Sequence, residues 1–396
     1  MTAARPIVNA HVHVPPNFSA FRDVEDLVAT AVAEGVRVVG ASNFHDHRIY
    51  RRFAALAEAG GLLPLFSLEF ITVVDPLRSA GTRVNDPANP GRLYLCGKGV
   101  DPFREPSALA TALDAGARAA NRARAALMTE LLAAVFTDAG LPTALDDAAI
   151  AADVAARAGV PVEWVVLQER HLAMAFQQAL FAGLPPRDRS AVLERAYGAP
   201  PKAPVDDAAA VQAEIRSRLM KAGCRAFVDE TAMSFADGYR LVLEWGGIPC
   251  YPTLADGATP VCPFEDGPAE LAGRLAELGL RAAELIPGRN DSDVAAAYVR
   301  TFRAAGLIVT AGTEHNTPDR IPLEPLTRGG VHLPDDVLAI LYEGACVVAG
   351  HQAEVAAGRP GFVDEDGRPG PGDHEAWIGR FAAIGAAAIE RRNVLA

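Results

Sequence analysis

Cysteine is sparse in this chain. Its five residues, Cys96, Cys224, Cys250, Cys262 and Cys346, are odd in number and never spaced as CxxC, which argues against a disulfide framework and against a thiolate zinc site. Long apolar runs are also missing. No window of about 18 uncharged apolar residues occurs, and the start, MTAARPIVNAHVHV, lacks the basic region, apolar stretch and small-residue cleavage site of a signal peptide. A soluble, cytoplasmic protein with no membrane partner is expected. Basic charge is in deficit, 37 Lys and Arg against 49 Asp and Glu, for a net charge of −12. Nucleic-acid binders need clustered cations to displace counterions from phosphates, so none is expected as a partner, whereas a small-molecule substrate fits.

What is present is a large apolar inventory, half of 396 residues, enough for one large domain with an insertion or for two domains. The first hundred residues alternate branched-apolar runs (PIVNAHV, VRVVGAS, LLPLFSLEF, RLYLCG) with amphipathic stretches such as DVEDLVATAVAEG. This is the rhythm of βα units around a parallel sheet. From about Pro106 to Met233 the strand pattern vanishes into Ala- and Leu-rich helical periodicity. The rhythm then returns with IPCYP, RAAELIP and LIVTAG. The organisation expected is a barrel in two parts, 1–105 and 234–350, a helical insertion over 106–233 that caps the barrel or holds a homo-oligomer interface, and a helical tail over 351–396. About seven strands suit an α/β barrel.

In such a barrel chemistry collects where the strands end. The first strand ends in His11 and His13, two residues apart and so on one side. The second runs into SNFHDH, with His45, Asp46 and His47; the third ends in Glu69; the last runs into Thr313, Glu314, His315 and Asn316. Imidazoles with carboxylates and no thiolates are ligands for Zn, Mn or Fe, and burying them without a cation is costly. A metal centre at the barrel mouth is therefore expected. His332, His351 and His374 lie beyond the last strand and are assigned structural roles, and Arg118, Arg122 and Arg124 are read as solubilising the insertion.

The ordered set of HxH, a His-Asp cluster, a lone Glu and a terminal acid-His pair resembles the PHP (polymerase and histidinol phosphatase) superfamily of metal-dependent phosphoesterases. LQERHLAMAFQQALFAG resembles the RPH(I/F)A segment of its phosphatases acting on nucleotides and related small phosphate esters, and EWGGIPCYP, LRAAELIPGRND and TAGTEHNTP resemble further motifs in order, over residues 6–320. The resemblance implies a distorted seven-stranded (β/α) barrel, one to three divalent ions (Mn, Zn or Fe), and hydrolysis of a small phosphorylated metabolite. It places His11, His13, His45, Glu69, His171, Glu314 and His315 as metal ligands, with His47 an alternative to His45. Asp46 and Arg170 would be catalytic, and Lys98, Tyr251, Arg289 and Asn316 would contact substrate. The chain departs from the pattern at Asn9, where Asp is usual, in Asn17 and Phe18, where an early Asp is common, and at Tyr251, which takes a ligand histidine's place. A metal-dependent lyase, isomerase or non-phosphate hydrolase on the same barrel, or a non-catalytic metal- or ligand-binding protein, is the alternative.

Overall fold

Runs of branched residues form the strands that hold the site. In the computed structural model, which describes residues 5–393, β1 (Ile7–Val12), β2 (Val36–Phe44) and β3 (Leu63–Val73) lie side by side and parallel. Each is followed by a helix: α1 (Val24–Ala33), α2 (Tyr50–Ala59) and the one-turn α3 (Asp75–Ser79). Local chemistry sets these bounds. Asp23 accepts the Asp26 N–H at 2.8 Å to start α1, and Gly35 (φ 72°) turns the chain into β2.

The next strand, β4 (Arg92–Lys98), runs the other way. It pairs antiparallel with β3 and with β6 (Ile248–Thr253). From there β7 (Ala282–Leu285) and β8 (Ile308–Ala311) continue in parallel, and a two-residue strand, β5 (Met233–Ser234), pairs with the far end of β3. An all-parallel sheet was the expectation. The difference lies at the link before β4, which carries only the five-residue α3 and no crossover helix of the kind that usually joins parallel strands.

The ends of the sheet meet. The Thr313 and Glu314 N–H groups both donate to the His11 carbonyl (3.1 and 2.9 Å), and the His13 N–H donates to the Glu314 carbonyl (2.8 Å). Gly312 lies so close to β1 that a Cβ there would stand 2.3 Å from His11 Cβ. The result is a nearly closed seven-stranded barrel, a distorted (β/α) barrel with one strand inverted.

Side chains alternate along the strands and sort into two cores. Val39, Leu95, Tyr251, Ala283 and Val309 pack outward, in one cluster with α1, α2, α9 (Phe235–Glu244), α10 (Pro268–Glu277) and α11 (Ser292–Ala304). Ala10, Val38, Leu65, Cys96, Cys250, Ala282 and Ile308 instead share a cluster with α12 (Asp335–Ala356) and α13 (His374–Asn393), which close one end of the barrel. The helix α12 continues unbroken through residue 350.

Between β4 and β5 the chain is helical: α4 (Ala108–Asp138), α5 (Asp147–Ala158), α6 (Glu169–Gly183), α7 (Pro186–Tyr197) and α8 (Ala208–Leu219). These helices have their own core, including Met128, Leu132, Phe136, Phe176 and Ile215. The 31-residue α4 is about 46 Å long at 1.5 Å per residue. Its Ala110 belongs to the outer barrel cluster and its Met128 to the helical core, so one rod ties both together. No helix among the described residues is long and apolar enough to cross a membrane.

Candidate metal centre

Three ligand atoms converge inside the barrel mouth. His11 Nε2 and His13 Nε2, from the end of β1, stand 3.4 Å apart. Glu69 Oε2, from β3, lies 3.6 Å from the first and 3.2 Å from the second. Glu69 Oε2 is buried and, among the described residues, accepts no hydrogen bond of good geometry. Ligands about 2.1 Å from one ion at tetrahedral angles are about 3.4 Å apart, so the donor type, the spacing and the orphaned oxygen all fit a bound divalent cation. The electrostatics agree. Burial opposes a charge on His11, yet Glu284 and Glu69 outweigh it and raise its pKa to about 9; without a metal the site draws a proton instead.

Behind His11 stands a partner that sequence reasoning did not name. Glu284 of β7, fully buried, accepts His11 Nδ1–H at 2.6 Å on one oxygen, and on the other accepts Lys98 Nζ at 2.5 Å and Thr310 Oγ1 at 3.2 Å. A carboxylate on one imidazole nitrogen fixes the tautomer and leaves the other free for metal. Lys98, expected to contact substrate, is only 1% exposed. Because β4 is inverted, its last residue lies deep in the barrel instead of at the mouth. Cys96 also lies near His11 and Glu284, but burial pushes its thiol pKa far up, and the Lys98 ammonium already balances that carboxylate.

The last loop forms a chain of polar contacts beside this cluster. Glu314 (φ 59°) pairs with Arg289 and accepts Asn316 Nδ2 at 2.6 Å, and Arg170 Nη2 reaches Asn316 Oδ1 at 3.4 Å. The other expected residues point elsewhere. His315 Nδ1 faces Thr313 Oγ1 at 2.7 Å and its Nε2 faces the Ile321 carbonyl at 2.9 Å. His45 (φ 53°) sits edge-on between Phe44 and Phe70, with Nδ1 buried and without a hydrogen-bond partner among the described residues, and its pKa lowered by burial to about 4; His47 packs on Trp245. His171 Nδ1 accepts the Gln168 N–H at 3.1 Å in the first turn of α6, its pKa lowered by burial to about 3. Asp46 accepts from Arg48 Nε at 2.7 Å and from Arg118 Nη2 at 3.2 Å, anchoring α4 to the end of β2. Tyr251 lies on the outer face of β6, its hydroxyl donating to Glu265 at 2.9 Å. His351 and His374 bond backbone carbonyls, and His332 lies 3.3 Å from Glu324.

Above the cluster opens a cavity of about 480 Å³. His11, His13 and Glu69 form its floor; Asp86, Arg92, Tyr94 and Glu230 line one wall; Arg124, Glu169, Arg170, Arg216 and Lys221 come from the helical block. There Glu169 gathers Arg124 at 2.7 Å, Arg216 at 3.0 Å and Lys221 at 2.5 Å. Among the described residues Arg170 has no carboxylate partner, and burial with repulsion from Arg216 lowers its pKa to about 10. The roof therefore carries surplus positive charge. Arg92, Arg124, Arg216 and Lys221 were not expected here, and no local pattern singles them out. A wider groove of about 700 Å³ beside α10 and α11 is lined mainly by Ala and Gly and brings no ligand cluster together.

No protein-family profile matches the chain, and no curated protein does. Solved structures share its fold. A candidate metal-dependent phosphoesterase from Bifidobacterium adolescentis superposes with a TM-score of 0.55 at 16% identity, over 86% of this chain and 97% of the other. An amidohydrolase from Chromobacterium violaceum, solved with sulfate and without metal, superposes with a TM-score of 0.53 at 14% identity, over 84% and 96%. At such identities the likeness is one of fold.

Proposed function

We propose that this chain is a metal-dependent hydrolase of the PHP type, cleaving a phosphate monoester of a small metabolite. The observation that carries the reading is the triangle of His11, His13 and Glu69 ligand atoms, one of them a buried oxygen that, among the described residues, accepts no hydrogen bond of good geometry. The names of the two structural neighbours, a phosphoesterase and an amidohydrolase, agree with a hydrolase; the cationic roof favours a phosphorylated substrate over a neutral one.

When bound, a divalent ion supplies a water acidified toward neutral pH and a Lewis acid for a phosphoryl oxygen. The protein's own residues do the rest. Glu284 keeps His11 Nε2 free, and Lys98 keeps Glu284 charged. Arg170, which faces the cavity and has no acidic partner among the described residues, binds the substrate anion, with Arg289 and Asn316 at the rim. The helices over residues 106–233 act as a cap that holds bulk water away.

The test is elemental analysis of the purified protein, paired with phosphate release from nucleotides, sugar phosphates and p-nitrophenyl phosphate with Mn added. At least one ion per chain and release are expected. Release from no ester by a metal-loaded protein would move the reading to a non-phosphate hydrolase. His11→Ala and Glu69→Ala should each lose tightly bound metal while keeping the fold by circular dichroism; full metal content in both would overturn the site.

A further inference from the structure

The inverted strand brings a side chain to the cavity that the proposed reaction has not used. Within β4, Arg92, Tyr94, Cys96 and Lys98 share the lumen face. Reversal puts the first two at the mouth. Tyr94 pairs with Ile71, and Cys96 with Glu69, so Tyr94 is the diagonal neighbour of Glu69, at about 7–8 Å between backbones, which a tyrosine ring can span.

The ring is held firmly. It packs on Phe44, Ile71 and Val166. Its backbone is clamped on both sides by Asn85, whose Oδ1 accepts the Tyr94 N–H at 2.8 Å and whose Nδ2 donates to the Tyr94 carbonyl at 3.1 Å. The same Nδ2 donates to the Pro252 carbonyl at 2.9 Å. Pro252 has no N–H to continue the β4–β6 ladder, which ends at Cys96 and Cys250, and the Asn85 amide stands in as a rung. Such rigidity would be unneeded for a solvent-facing tyrosine.

The phenol itself is free. It lines the cavity, and among the described residues nothing hydrogen-bonds its hydroxyl, although Asn85 satisfies the backbone around it completely. Burial and the nearby carboxylates of Asp86, Glu230 and Glu69 push its pKa far up, so it keeps its proton. We infer that Tyr94 is a catalytic residue of this site, donating its phenolic O–H to a phosphoryl oxygen of the substrate above the His11, His13 and Glu69 floor. The inference rests on the phosphoesterase reading. Tyr94 transfers no proton; it contributes a fixed dipole where negative charge grows.

The Mn-loaded wild type and Tyr94→Phe are compared for Mn content, calorimetric binding of inorganic phosphate, and turnover of p-nitrophenyl phosphate. Phe keeps the ring packing, so equal Mn content and an unchanged melting temperature are expected. Losing one hydrogen bond to a charged oxygen predicts a drop of about 10- to 100-fold in kcat/KM and weaker phosphate binding. A phosphate-induced tyrosine difference spectrum should be present in the wild type and absent in the variant. Wild-type phosphate binding, turnover and spectrum in a fully loaded Tyr94→Phe would overturn the role of Tyr94 and leave the phosphoesterase reading standing. A wild type that neither binds phosphate nor releases it would overturn both.

Discussion

At the scale of single residues, period two decides which side chains belong to the site. His11 and His13 were legible because two imidazoles spaced by one residue at a strand end must share a side. Tyr251 was misplaced by motif likeness: in CYP it takes a histidine's position, but its side chain shares the outer face with Ala283 and Val309, while Cys250 takes the lumen face. It serves the core. Its hydroxyl and the Leu254 and Ala255 N–H groups all donate to Glu265, a carboxyl whose pKa burial raises to about 7. Tyr251→Phe should therefore leave metal content and turnover unchanged and cost about 1–2 kcal/mol of stability in urea titrations; loss of metal would return Tyr251 to the site. Glu284 was read as part of a strand and given no role, because its partner His11 is 273 positions away.

At the scale of elements, the direction of a strand is the property least visible in sequence. A short apolar run such as RLYLCG reads the same whichever way it runs, and sheet order is settled by distant neighbours. The inversion of β4 moved Lys98 from the mouth to the depth of the barrel and moved Arg92 and Tyr94 into the cavity. Lys98→Met tests this directly. It leaves Glu284 buried without its cation, and breaking such a pair costs about 3–5 kcal/mol, visible as an earlier denaturation midpoint. A higher KM with undiminished stability would instead put the ammonium on the substrate. The helical periodicity of 108–219 was plain, whereas the cations that those helices and the turn after α8 aim at the cavity, Arg124, Arg216 and Lys221, look in sequence like ordinary surface charges.

At the scale of the whole molecule, the C-terminal helices seal the barrel through His351. Its Nε2 donates to the Gly246 carbonyl at 2.6 Å and its Nδ1 accepts the Phe362 N–H at 2.8 Å, so the ring must be neutral, and burial lowers its pKa to about 4. Between that value and the ordinary 6.5 the unfolded chain binds a proton that the folded one refuses. Stability is therefore present in full above pH 6.5 and lost as pH falls toward 4, by about 3 kcal/mol for this group. Urea titrations at pH 7 and pH 5 should show the loss, and His351→Gln should flatten part of it; an unchanged slope would remove His351 from the account.

The joint between β1 and β8 carries a last consequence. At Gly312 the gap between the two strands is filled by a hydrogen atom, and the neighbour across it is His11 of the candidate metal centre. The barrel is thus machined without clearance beside the candidate centre. A single methyl group at position 312 would prise apart the residues that hold His11, His13 and Glu314 in register, though it touches no ligand atom and alters no charge.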